Sequence, residues 1–284
     1  MVGSALPLVF ASLGALWTEL AGSLGIFIEG VMSIGAFFTY CFMVKTGSVF
    51  ISCFLSALIC AALGFLTAAF VQVSNANPFI TGLALNLAAD GLTATLSRLW
   101  FGTSGVLRSA GLFANNIGFA QTPFIVAAAL CFLLSAFLVY ETRFGLRLRA
   151  SGLSTQAVEE RGIHPARYRV AAWTIAAMLA GVGGACLTLR VGAYTPGGVS
   201  GRGWIALAAV YLGFRRMWGL ALASFVFAAV ERAGITLQTI RSLPPTALLG
   251  IPSALALAFY AASCAIQEKR GKNVKRGSAV EGKT

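Results

Sequence analysis

Residues 141–169 read ETRFGLRLRASGLSTQAVEERGIHPARYR, a polar stretch that interrupts a chain otherwise apolar enough to live in a membrane. It holds six arginines (Arg143, Arg147, Arg149, Arg161, Arg167, Arg169), three glutamates (Glu141, Glu159, Glu160) and the only histidine, His164. A loop this basic between apolar spans belongs on the cytoplasmic side, since lysine and arginine in connecting loops orient a membrane protein. The stretch also predicts a helix of about two turns, with Ser154 or Thr155 as N-cap, Gly162 at its end and Pro165 blocking continuation. Two readings of that helix are open from the residues alone. It docks a soluble partner, or it is an amphipathic loop held at the lipid headgroups by its arginines.

The composition on either side fixes the class. Hydrophobic residues make up 58% of the chain and charged ones 11%, against about 25% charged in soluble domains. Mean hydropathy is +0.83. Net charge is +12, but the basic residues gather in the 141–169 loop and in the tail QEKRGKNVKRGSAVEGKT, residues 267–284. Membrane topology accounts for that placement without nucleic acid. The six cysteines fall inside apolar segments without C-x-x-C spacing, and with one histidine they form no zinc site. The first segment has no basic n-region or small-residue cleavage site, so no removable signal peptide is expected.

A spanning helix needs roughly 17 to 25 mostly apolar residues. By that measure the candidate spans are 3–17, 24–44, 48–72, 78–99, 122–140, 169–190, 217–240 and 245–266, with a shorter apolar piece at 201–213. The expected fold is an all-α polytopic membrane protein of about 8–10 transmembrane helices, some broken or short. Residues 1–267 form the membrane domain, and 268–284 a basic cytoplasmic tail. With loop and tail both cytoplasmic, an even number of crossings separates them, which requires the 201–213 piece to count. The five spans before the loop then put the N-terminus outside, together with the glycine-containing segment 100–121, a connector or a docking surface.

Polar residues inside the spans are the candidate functional groups, because a charge in the bilayer core normally faces protein or water. Glu19 lies at a membrane boundary. Glu29 sits in an apolar run with Gly22, Gly25 and Gly30, and either binds substrate, pairs with a cation or caps a broken helix. Asn86 and Asp90 are four residues apart, on one helix face. They line a hydrated side or bond a neighbouring helix, and Asp90 can reach Arg98 two turns on. Arg202, between Gly201 and Gly203, caps a buried group or snorkels to the surface. Gly181, Gly183, Gly184 and Ala185 offer a small-residue packing face. No Walker A sequence, dinucleotide glycine motif, nucleophile elbow or metal cluster is present in the sequence, so neither catalytic nor metal-binding residues are expected.

Four blocks taken together resemble the branched-chain amino acid/ribose-type permease family of ABC importers, and within it the nucleoside ("simple sugar") permeases. The first block matches through Glu19, Gly22, Ile26, Glu29, Gly30, Met32, Gly35, Ala36 and Phe37, and the second through Asn77, Pro78, Gly82, Asn86 and Gly91. The loop matches from Gly145 to Gly152 and then at Ala157, Gly162 and Ile163; the fourth block runs from Gly201 to Gly213. Departures are Leu20, Gly25 and Phe27 where that subfamily has Arg, Asn and Gly, and Ser154–Thr155 in place of Asn–Pro.

The resemblance implies a non-catalytic half-transporter in the bacterial cytoplasmic membrane. It would pair with a second permease subunit, sit on a cytoplasmic ABC ATPase that binds the ATP, and receive nucleosides from an extracytoplasmic binding lipoprotein. The chain itself would carry no cofactor. The loop helix becomes a coupling helix, with Ser154, Thr155, Ala157, Val158, Glu159 and Gly162 at the ATPase contact. Glu29, Asn86 and Asp90 would line the substrate path, which Phe27 would narrow or furnish with a ring face. Ribose, another sugar or a branched-chain amino acid is the alternative cargo. A gradient-driven transporter or channel is the alternative of another class, but it ordinarily needs more intramembrane acids than Glu29, Asp90 and Glu231.

Overall fold

The computed structural model describes residues 2–108 and 117–241. Two compact units divide the chain, residues 1–229 and 230–284. The first comprises α1 (Val2–Leu20), α2 (Ile28–Thr46), α3 (Val49–Ser74), α4 (Pro78–Phe101), β1 (Leu107–Arg108), α5 (Ile117–Tyr140), α6 (Arg143–Leu153), α7 (Thr155–Glu159), α8 (Pro165–Val191), β2 (Ala193–Tyr194), α9 (Arg202–Leu212) and most of α10 (Met217–Arg241). Of the second unit, the described part is the end of α10, where the Thr236 hydroxyl bonds the Arg232 carbonyl. The candidate span 245–266 and the basic tail lie outside the described residues.

Six described helices are long and apolar enough to cross a membrane, and Ala5–Leu20 and α9 are shorter apolar helices. The all-α polytopic expectation holds, with one addition. Leu107 and Arg108 pair antiparallel with Tyr194 and Ala193, a two-residue ladder no sequence pattern announced.

Helix α8 is the hub on which α1, α2 and α3 pack. Small residues let the backbones close in. A Cβ on Gly35 of α2 would lie 2.6 Å from the Gly181 Cα, and one on Gly14 of α1 would lie 2.8 Å from the Ala176 carbonyl oxygen. Lipid supplies no hydrophobic drive between helices, so contact of this kind and hydrogen bonds hold them. The Thr188 hydroxyl donates to the Ala36 carbonyl at 2.9 Å, and the Ser56 hydroxyl to the Gly35 carbonyl at 2.8 Å.

The order of contacts gives each helix its direction. Along α8, Trp173 meets Phe27, Gly181 meets Gly35 and Thr188 meets Ala36, so α2 runs parallel to α8. On α1, Gly14 meets Ala176 and Pro7 meets Gly183, so α1 runs the opposite way. Both α1 and the 141–169 loop therefore end on one side, hereafter the loop face. There the backbone of Leu20–Gly22 touches Gly152 at the end of α6. The β1–β2 ladder, following α4 and α8, marks the other face.

Two corrections to the sequence reading come from this region. The candidate span 24–44 begins inside a non-helical break, residues 21–27, where Gly22 turns left-handed at φ 74°. The expected loop helix is present as α7, capped by Ser154 but only five residues long, and an 11-residue α6 that was not expected precedes it. Thr142 caps α6 by accepting from the Gly145 N–H, a start the sequence reading passed over.

A Cβ at Gly184 would strike the Met32 carbonyl oxygen and sit 2.8 Å from the Ala36 nitrogen. Gly184→Val should therefore destabilise the helix core by about 1–3 kcal/mol. Thermal unfolding of the protein purified in detergent measures it, and an unchanged midpoint would contradict the close α2–α8 approach.

Candidate functional site

Helix α9 opens in the membrane interior rather than at a surface. Its 11 residues span about 16 Å, roughly half the hydrocarbon thickness. Free amides at such an end are costly in lipid and must find partners within the protein. Glu29, in the first turn of α2, supplies them. One carboxylate oxygen accepts from the Gly201 N–H at 2.8 Å and the other from the Gly203 N–H at 2.6 Å. The charge also complements the positive end of the helix dipole. Among the readings the sequence left open for Glu29, the geometry is that of a cap on a broken helix, supplied from another element.

The glycines of the Gly201–Arg202–Gly203 motif now have separate reasons. Gly201 adopts φ 81°, the left-handed region that side chains rarely enter. At Gly203 a Cβ would lie 2.6 Å from the Glu29 nitrogen. Arg202 turns back and donates to the carbonyls of Gly198 and Val199, at 2.9 and 3.1 Å.

Asn86 of α4 stitches the break to α2. Its side-chain oxygen accepts from the Gly30 N–H at 2.8 Å, and its amide nitrogen donates to the Ile26 carbonyl at 2.7 Å. Gly30 makes room, since a Cβ there would lie 2.7 Å from the Asn86 Cα. Beside it, Phe27 is fully buried, its ring centroid 4.5 Å from that of Trp173. Trp173 in turn donates to the Ser23 hydroxyl at 2.9 Å.

Of the four candidate path residues, Phe27, Glu29 and Asn86 are thus gathered into the break and spent on each other's surroundings. Asp90 differs. One turn beyond Asn86, it is exposed and within electrostatic reach of Glu29, and among the described residues its carboxylate makes no hydrogen bond or ion pair, to Arg98 or to another group. A bare carboxylate at this depth belongs beside water, a ligand or another protein surface.

At the loop face, the Ser154 hydroxyl caps α7 by accepting from the Ala157 N–H at 3.3 Å, and the chain leaves through Gly162 at φ 73°. Arg169 donates to the Thr155 hydroxyl at 2.7 Å and Arg147 to the Tyr168 hydroxyl at 3.2 Å, tying α7 and α6 to α8. Ala157, Gln156 and Glu159 are exposed, as is Leu153 at 88%, while Val158 is buried at 5%. The outward apolar surface is therefore Leu153 and Ala157, with Val158 turned to the protein.

The sequence reading also missed an anchor at the far end of α9. Glu19 accepts from the Tyr211 hydroxyl at 2.9 Å and pairs with Arg215 at 2.7 Å, and the Arg215 guanidinium lies 5.7 Å from the Tyr211 ring centre. Glu19 is a charge held inside the protein, with 8% of its side chain exposed. Its sequence signal was the pair Arg215–Arg216 just past the short helix, which has no assigned partner until α1 is placed beside it. Among the described residues no group of three or more His, Cys, Asp or Glu gathers to hold a metal.

Residues 1–262 match the family described as branched-chain amino acid transport system / permease component. The chain is 32% identical to the nucleoside ABC transporter permease protein NupC of Lactococcus lactis over 242 residues, 78% of this chain and 76% of that protein. It is 28% identical to the guanosine ABC transporter permease protein NupQ of Bacillus subtilis, covering 89% of this chain and 87% of that one. The putative glucose ABC transporter permease protein TsgC13 of Haloferax volcanii is 27% identical over 87% of this chain and 80% of its own. No solved structure matches.

Replacing Glu29 by Ala removes both partners of the α9 amides and should cost about 1.5–3 kcal/mol, the range for hydrogen bonds to a charged group. Gly203→Ala should act in the same direction by pushing the cap away. Both are read as lower thermal midpoints in detergent, and wild-type midpoints for the pair would contradict the capping geometry.

Proposed function

The chain belongs to the family of branched-chain amino acid transport system permease components, membrane subunits of ATP-binding cassette importers, and on that premise we propose that its cargo is a nucleoside. The observation that carries the proposal is the half-helix α9, opening in mid-membrane on Glu29, near Asp90, which has no hydrogen bond or ion pair among the described residues. Non-helical backbone and a bare carboxylate are tolerated at that depth only beside a water-filled or protein-lined path. A carboxylate accepts hydrogen bonds and donates none. That suits the hydroxyl and N–H donors of a nucleoside. Similarity to two relatives named for nucleoside and guanosine transport supports the same cargo.

In this reading the chain performs no catalysis and holds no cofactor. A separate cytoplasmic ATPase binds and hydrolyses ATP, docking on the α6–α7 elbow around Leu153, Gln156, Ala157 and Glu159. Ser154, Thr155 and Gly162 shape that elbow, and Val158 anchors it from inside. A second permease subunit completes the path, and an extracytoplasmic binding lipoprotein delivers the nucleoside. The protein lies in the bacterial cytoplasmic membrane with the 141–169 loop and the basic tail in the cytoplasm. A gradient-driven carrier fits less well, because Glu29 is committed to the α9 amides and is not free to relay ions.

Proteoliposomes holding the complete importer, its binding protein and internal ATP should accumulate labelled guanosine or uridine, with ribose and leucine taken up little. Uptake of leucine or ribose alone would overturn the nucleoside reading. Ala157→Arg should insert normally yet lower nucleoside uptake per ATP hydrolysed by roughly tenfold, a typical coupling free energy between sites. Unchanged coupling in those vesicles would remove the elbow from the ATPase contact.

A further inference from the structure

Helix α9 is anchored at both ends by glutamates that flank the same break. Glu29 holds the Gly201 and Gly203 amides at its start, and Glu19 holds Tyr211 and Arg215 at its finish. The two acids stand on either side of residues 21–27, so α9 bridges the break between α1 and α2 as a short rigid bar. One more contact connects the bar to the loop. The backbone of Leu20–Gly22 rests on Gly152 with no side chain between them, and a Cβ on Gly22 would lie 2.8 Å from the Gly152 Cα. Gly152 is the penultimate residue of α6, two residues before the Ser154 cap of α7.

We propose that Glu19 is a positioning residue for transport. Through its bonds to Tyr211 and Arg215 it makes α9 a strut, carrying displacement of the α6–α7 elbow to Glu29 and the substrate path. The inference rests on the importer reading and adds to it the route by which the loop reaches mid-membrane.

Three physical features favour a transmitting role over plain packing. The path is continuous in backbone and charge: α6, Gly152, Leu20–Gly22, Glu19, α9, then Glu29. From Glu19 onward its joints are directional hydrogen bonds and one ion pair, which have a preferred geometry that apolar packing lacks, and the joint at Gly152 is a direct backbone contact. Finally, the loop-face joint is unequal, with Arg215 57% exposed and Glu19 8%. The arginine can exchange its partner for water, whereas Glu19 would be left buried with only the Tyr211 hydroxyl against its charge, so displacement of the elbow is resisted at Glu19 and passed on to α9.

The test uses the complete importer in vesicles, with Glu19→Gln, Arg215→Gln and Arg215→Lys, and two readouts. The first is guanosine uptake per ATP hydrolysed. The second needs no cargo. Ser200→Cys, in a background whose native cysteines are replaced by serine or alanine, reports on the turn before α9 through its rate of reaction with a maleimide, with and without ATP. In the otherwise unaltered protein ATP should change that rate. Glu19→Gln and Arg215→Gln should abolish the change and lower uptake per ATP roughly tenfold, the usual size of a coupling between sites. Arg215→Lys should keep both. Should Glu19→Gln fail to insert, Arg215→Gln, at the exposed end of the pair, carries the test alone. An ATP response that persists in the Gln variants would overturn the strut, whatever the cargo. A response with no guanosine uptake in the unaltered protein would overturn the nucleoside reading and leave the strut standing. No response in the unaltered protein would overturn the strut and leave the nucleoside reading to the uptake result.

Discussion

Everything at the centre of this molecule follows from one constraint: a backbone amide in the membrane interior must be hydrogen-bonded by the protein itself. The chain breaks its helical pairing twice, at residues 21–27, which run inward from the loop face, and at the start of α9, and both breaks need outside partners. Asn86 serves the first through Ile26 and Gly30; Glu29 serves the second through Gly201 and Gly203. Leaving a buried amide unmade costs about 1–3 kcal/mol, enough to explain why rare polar residues stand where they do.

Around them, α8 supplies rigidity through small residues. Contacts such as Gly35 on Gly181 bring helix backbones together without intervening side chains, and hydroxyls of Thr188 and Ser56 close the remaining gaps. A frame packed this tightly transmits displacement instead of absorbing it. Connection of the loop-face elbow to the mid-membrane break therefore needs few intermediaries. Leu20–Gly22 against Gly152, and the two glutamate anchors of α9, are sufficient.

Much of the fold was legible in residue order. Apolar lengths located the long helices to within a few residues, and the polar loop with its terminating Gly162 and Pro165 marked the elbow. Glu29 was legible as costly and therefore purposeful, because a charge in an apolar run needs a reason. What Glu29 holds was not legible, since Gly201 lies 172 residues away and no periodicity relates them. The elbow's division into α6 and α7 was not legible because Thr142, the N-cap of α6, stands directly after an apolar span, where it is indistinguishable from that span's polar end. Val158 was placed at the ATPase contact by the resemblance; its inward direction depends on where α7 meets α8.

Sequence by itself determined that this chain lives in a membrane and which polar residues have to be accounted for. Those properties are local, fixed by apolar length and the cost of burying an ionised group. Only the tertiary structure decided the partners: Glu29 with α9, Glu19 with Tyr211 and Arg215, Asn86 with the break, and Asp90 with none of them. Hydrogen-bond pairing is a matter of a few ångströms between distant segments, and spacing along a chain carries no such distances.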